Sequence, residues 1–172
     1  MTRDTHTPDH IPGHGADKTP DYRDWDLPDP FILAIEVTEA DTDRLGHANN
    51  VVYVRWLEDI SWAHIESLGM TWELHEATGK AMAITRTEID YLAAANAGDR
   101  LLLATWLTGF DGRLRSSRQF QLVRPADGRT LVRAVSTHAC VSLRSQRPTR
   151  VPPQYADILA GASVSGGKPM LD

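Results

Sequence analysis

The chain has 172 residues, 41 % of them hydrophobic and 24 % charged, with a single cysteine, Cys140: one domain's length, enough to bury its own core, and a composition that excludes a disulfide framework or multi-cysteine zinc site and fits a reducing compartment. The formal net charge is −5 with no basic stripe to follow a phosphate backbone, which excludes nucleic acid from the expected partners. No stretch reaches the roughly 18 consecutive apolar residues of a membrane span, and the N-terminus lacks the charged-then-apolar layout of a signal peptide, so the expected location is the cytoplasm.

Prolines divide the chain. Five of the ten lie within residues 1–30 and four at 148 or beyond, leaving 31–124 free of them. Residues 1–29 set Arg3, Lys18 and Arg23 against seven aspartates (4, 9, 17, 21, 24, 26 and 29), and read as a disordered acidic arm that carries most of the net charge. His6, His10 and His14 have the i, i+4 spacing of a helical metal clamp, but Pro8, Pro12, Gly13 and Gly15 oppose a helix there, and a solvated tail is the reading preferred. Residues 30–147 form the expected domain, and 148–172 a C-terminal extension, largely disordered after 160.

Within the domain, residues 31–37 are apolar and β-branched and predict a strand. Residues 41–50 are polar and turn-forming. From 51 to 68 the apolar positions recur at three- and four-residue steps (Tyr53, Leu57, Ile60, His64, Leu68), a helical stripe, and Gly69 stands where a left-handed cap belongs. Val51, Val52, Val54 and Trp62 add apolar residues off the stripe, which suits a helix wrapped by a sheet. A shorter helix is predicted over 71–78, stopping at Gly79. Strands follow over 81–93, 100–110, 114–124 and 130–143, joined by Asp111-Gly112 and Pro125-Ala-Asp-Gly128 turns that make neighbours antiparallel. The fold class expected is α+β, one long helix on one face of an antiparallel sheet.

The chemistry concentrates in Asp41-Thr-Asp43-Arg-Leu-Gly46-His47-Ala-Asn49-Asn50, immediately before the long helix. A helix N-terminus offers free backbone N–H groups and the positive end of its dipole. A carboxylate beside such a terminus pairs a base or nucleophile with a site for developing negative charge, the pairing acyl transfer requires. The same residues also suit a plain cap and turn, with Asn49 or Asn50 as N-cap and the aspartates favouring the turn. A metal site from Asp41, Asp43 and His47 lacks further ligands nearby. A phosphotransferase-type Asp-x-Asp should end an apolar strand, which Val37-Thr-Glu-Ala40 prevents.

The run extending to Asn50-Val-Val-Tyr53-Val-Arg-Trp-Leu57-Glu58 resembles the signature of the hotdog-fold acyl-CoA thioesterases, the 4-hydroxybenzoyl-CoA thioesterase family, and its His-x-Asn-Asn-x-x-Tyr spacing resembles the long-chain acyl-CoA branch. The resemblance implies a hotdog fold, a long central helix wrapped by a five- to six-stranded antiparallel sheet, with no cofactor, coenzyme A being part of the substrate. It implies Asp43 as catalytic carboxylate, Gly46 and His47 in the acyl-site loop, oxyanion donors among the N–H groups of Asn50, Val51 and Val52, and Tyr53 as a substrate-binding aromatic. It further implies a homodimer or homotetramer with the active site at a subunit interface.

Glu58 corresponds in position to a helical acid some hotdog enzymes use, and a solvated or interface role is the alternative; His64 reads as a packed histidine. Arg113, Arg115 and Ser116 follow the first hairpin turn, where the family places groups that meet CoA, although Leu114 stands where a serine is common. Asp41 is expected to orient the loop. Trp56, Trp62, Trp72 and Trp106 suit an acyl tunnel and core packing equally. The expected function is hydrolysis of acyl-CoA to free acid and CoA; the alternatives are an acyl-carrier-protein thioesterase and a non-catalytic acyl-CoA-binding module, against which Asp43 argues. A hotdog hydratase lacks its Asp-plus-His dyad here.

Overall fold

The computed structural model describes residues 22–167. The expectations for residues 1–21, with their three histidines, and for 168–172 lie outside the described residues. In chain order the elements are β1 (Phe31–Glu36), a 3-10 turn (Glu39–Asp41), α1 (Asn50–Ser67), α2 (Trp72–Thr78), β2 (Lys80–Tyr91), β3 (Arg100–Phe110), β4 (Arg115–Arg124), β5 (Arg129–Ser142) and α3 (Pro153–Gly161). The five strands form one sheet in the order β1-β3-β4-β5-β2, every pairing antiparallel.

The turns that set this register are built by aspartate. Asp111 Oδ1 accepts from the N–H groups of Arg113, Leu114 and Arg115 at 2.8, 2.7 and 3.0 Å. Gly112 next to it takes φ +74, a backbone state costly for any residue with a Cβ. Asp127 closes the β4–β5 turn in the same way, accepting from Arg129 N–H at 3.1 Å.

Asn49 caps α1, its side chain accepting from Val51 N–H. The helix buries Val52, Tyr53, Trp56, Leu57 and Ile60 against Leu101 and Leu103 of β3, Phe120 and Leu122 of β4, and Leu131, Val132 and Ala134 of β5. This apolar layer between one helix and one sheet face is the main core; burial of each large side chain contributes about 1.5–3 kcal/mol.

Both chain ends depart from the sequence expectation. Residues 22–29, read as part of a free arm, lie against the sheet's other face. Leu27 is buried with Ala104 and Trp106, and Trp25 packs beside them. Trp106 Nε1 donates to Pro28 O at 2.8 Å, Asp26 N–H to Gln121 Oε1 at 2.8 Å, and Arg133 meets the Asp26 carboxylate with two donors. The reason is apolar: Ala104 and Trp106 alternate onto a face that α1 does not cover, and Trp25 and Leu27 cover it. At the other end, the extension contains α3, with proline at its first turn, where the missing N–H costs nothing. Tyr155 and Leu159 bury into a second cluster with Met70, Leu107, Cys140 and Val151. Beyond residue 160, Val164 N–H donates to Leu107 O at 2.8 Å.

Candidate active site

The loop before α1 is a closed tip. Asp43 N–H donates to His47 O at 2.8 Å and Gly46 N–H to Asp43 O at 3.0 Å, while Thr42 bridges Ala48. Gly46 takes φ +75, so the turn needs a residue tolerant of the left-handed region. The exposed Asp43 carboxylate accepts from Leu45 N–H at 2.8 Å, which orients it and leaves its other oxygen open.

Asp41 holds this tip in place. Its carboxylate accepts from Thr38 N–H at 2.9 Å, the Thr38 hydroxyl at 2.7 Å and Arg55 Nη2 at 2.7 Å, tying the loop to α1. Burial alone would raise its pKa, but the Thr38 and Arg55 hydrogen bonds hold the carboxyl below the ordinary range. Asp41 thus ties the tip to Thr38 and α1.

The three amides proposed from sequence as oxyanion donors are not equivalent. Val51 N–H is engaged by the Asn49 side chain at 3.0 Å, and Val52 N–H by Asn49 O at 2.8 Å. Only Asn50 N–H is without a partner among the described residues. Val51 and Val52 are therefore corrected to capping partners, because the Asn49 cap satisfies both.

Tyr53 is also corrected. At 4 % exposure it is no surface for a substrate. Its hydroxyl accepts from Ala95 N–H at 3.0 Å, its ring packs edge-on to Trp56 and Tyr91, and burial raises its pKa. It braces the segment to which Ala48 N–H and His47 bind, through Ala95 O and Asn96.

Arg113 and Arg115 are exposed on the β3–β4 hairpin, at the opposite end of the sheet from Asp43; β3's eleven residues separate the two ends by about 35 Å. Ser116 is buried instead, in a cavity of about 310 Å³ between α1 and the sheet, which Glu58, Ser61, Trp62 and Ile65 of α1 also line. Its floor holds two residues that were not assigned a role from sequence, Arg118 of β4 and His138 of β5. Alternation along β4 places Arg118 in phase with Phe120 and Leu122, on the core-facing side; that phase was the available signal. Glu58 is exposed at the cavity's edge. No cluster of three or more metal-ligating side chains occurs among the described residues, and no helix among them is long and apolar enough to cross a membrane.

An antiparallel five-stranded sheet with one long helix packed along it is the architecture of the hotdog class of α+β proteins. The model of the thioesterase-like superfamily matches residues 37–159, and the chain belongs to that family. Over 123 residues it is 27 % identical to a Bacillus subtilis protein, YneP, which carries a provisional acyl-CoA thioesterase name; the match covers 72 % of this chain and 88 % of that one. Among solved structures it resembles Slr0204, a 1,4-dihydroxy-2-naphthoyl-CoA thioesterase from Synechocystis (TM-score 0.68, 21 % identity, 77 % of this chain and 96 % of that one). It also resembles SAV2348 from Staphylococcus aureus, solved in complex with CoA (TM-score 0.73, 16 % identity, 83 % and 91 %).

Proposed function

We propose that the protein hydrolyses an acyl-CoA thioester to a free acid and CoA. The observation that carries this reading is the pairing, at one end of α1, of the open Asp43 carboxylate with the unpartnered Asn50 N–H. A thioester carbonyl set against Asn50 N–H is polarised by that donor and by the helix dipole. Asp43 then acts in one of two ways. As nucleophile it forms an acyl anhydride and expels CoA thiolate, and water cleaves the anhydride to regenerate the carboxylate. As general base it takes a proton from water, the hydroxide adds to the carbonyl, and the C–S bond breaks. In both, the released thiolate is protonated by solvent. Asp43→Asn is expected to lower thiol release from acyl-CoA by more than the roughly 10²–10³ that removal of one oxyanion donor costs, with the folded state unchanged by circular dichroism. Undiminished release from that variant would overturn the assignment.

The reading includes a homodimer. Arg113 and Arg115, whose guanidinium groups suit CoA phosphates, cannot serve the Asp43 of their own chain from the far end of the sheet. The outer edge of β2 is unpaired among the described residues, and Ile84 and Tyr91 of that strand are exposed. A two-fold pairing of β2 with β2 places the loop end of one copy against the hairpin end of the other. The expected result is a mass in light scattering about twice the 19.1 kDa of one chain; a monomer at assay concentrations that is fully active would overturn it.

A further inference from the structure

The cavity beneath α1 holds a buried cation with no counter-ion. Arg118 is 2 % exposed. One of its terminal nitrogens meets His64 Nδ1 at 2.9 Å and Thr105 Oγ1 at 3.1 Å, both neutral groups, and its Nε has no partner. Among the described residues no carboxylate lies within 4 Å of it. Glu58, the only acid in the cavity wall, stands exposed at the edge and forms no such pair. The two histidines facing Arg118 offer no negative charge: burial first, and Arg118's own charge second, hold His64 and His138 down to about 4. Burial brings Arg118 itself down to about 9, so at neutral pH it is charged.

Burying an unpaired ion costs several kcal/mol, and methionine or leucine would fill the same volume without that cost. Hydrogen bonds to His64 and Thr105 satisfy donors but neutralise nothing. A second buried atom, His75 Nε2, is also unpartnered and belongs to the same wall. Ser61 and Ser116 add hydroxyls to the wall, and most of the remaining lining is apolar, with Trp62, Ile65, Met70, Met82, Leu107 and Leu159. The cavity has the size of a small ligand pocket and offers an apolar sleeve ending on a guanidinium.

We propose that this cavity receives the acyl group of a thioester held by the partner copy's Asp43 loop in the dimer proposed above, because about 21 Å of α1 separates this chain's own Asn50 from His64 beside Arg118, and that Arg118 pairs with a carboxylate at the acyl group's far end, so that the substrate class is a CoA thioester of a dicarboxylic acid. The inference rests on the thioesterase and dimer readings for the word substrate, and on the cavity alone for the anion site. Charge-assisted hydrogen bonds of about 1.5–3 kcal/mol correspond to a preference of roughly 10- to 100-fold.

Two measurements on the full chain separate the claims. First, calorimetric titration with hexanoate and with hexan-1-ol, matched in chain length, is expected to show hexanoate binding at least tenfold tighter, with the difference lost in Arg118→Met. Equal affinity for the two, or hexanoate binding unchanged by Arg118→Met, would overturn the anion site. The wild-type comparison requires no variant, and Arg118→Lys, which keeps the charge, is expected to keep the preference should Arg118→Met fail to fold. Second, kcat/KM for adipyl-CoA is expected to exceed that for hexanoyl-CoA by at least tenfold. Hydrolysis of both without preference overturns the dicarboxylate assignment and leaves the thioesterase reading standing. Hydrolysis of neither, with Arg118-dependent hexanoate binding intact, overturns the thioesterase reading and the substrate class together and leaves an anion-binding cavity.

Discussion

Replacing Tyr53 by phenylalanine removes one oxygen and, with it, the only acceptor of a buried amide. Ala95 is 0 % exposed, and its N–H donates to the Tyr53 hydroxyl at 3.0 Å. The phenylalanine ring keeps the edge-on packing against Trp56 and Tyr91, so no cavity beyond one oxygen opens and the loss is that of the hydrogen bond. An orphaned buried donor costs about 1–3 kcal/mol, and for a chain of this length each kcal/mol lowers Tm by roughly 2–4 °C. Guanidinium unfolding followed by tryptophan fluorescence is expected to show a lower midpoint with an unchanged slope, the mark of altered stability alone. Activity is expected to fall as well, because Ala95 O and Asn96 carry the Asp43 tip through Ala48 and His47. A loss of unfolding free energy below about 0.5 kcal/mol, within the range of ordinary surface substitutions, would refute the bracing role, and with it the correction of Tyr53 from a substrate contact to a support.

Two further outcomes test the fold and its charges. Leu27→Ala is expected to cost about 2 kcal/mol, the lower end for a buried leucine, measured by the same unfolding assay; no loss would return residues 22–29 to the status of a free arm. Stability is expected to fall as pH drops from about 6.5 to 4. His138 is held to about 4 in the folded chain against an unfolded value near 6.5, so in that window the unfolded chain binds a proton that the native chain refuses. Its contribution is complete above about 6.5 and lost as the pH falls through the folded value, worth at most about 3 kcal/mol, and partly exposed His64 adds less in the same direction. His138→Gln is expected to flatten the profile between unfolding curves taken at about pH 7 and 4.5; an unchanged slope would remove His138 as its source.

The sequence was legible where local chemistry and long-range packing agree. The helical stripe from Tyr53 to His64, the Asp-Gly turns and the strand-forming runs they join each predict an element that the sheet and core then use; the long helix expected over 51–68 is Asn50–Ser67 in the fold. The turn before α1 was legible for the same reason, since polar residues crowded before a helix suit a cap and a turn. What was not legible depends on partners distant in sequence. Trp25 and Leu27 sit among prolines and aspartates, and nothing local reveals that Trp106 waits for them some eighty residues on. Pro152-Pro153 reads as a breaker until it is seen opening α3, whose Tyr155 and Leu159 share one face. The choice among three candidate amides turned on which groups Asn49 occupies, a matter of geometry. Arg118 was visible in the run Arg113 to Arg118, but its significance lies in what is missing around it, and only the assembled core shows that.

The strap formed by residues 22–30 has a consequence for assembly size. Sheets that stack face to face do so about 10 Å apart, with nothing but interdigitated side chains between them. Here Trp25, Leu27 and Val164 already occupy that space above Ala104 and Trp106, and Asp26 is pinned to Arg133 and Gln121 on the same surface. Each chain therefore roofs the face by which two sheets could stack back to back, and any assembly through that surface would first have to peel the roof away.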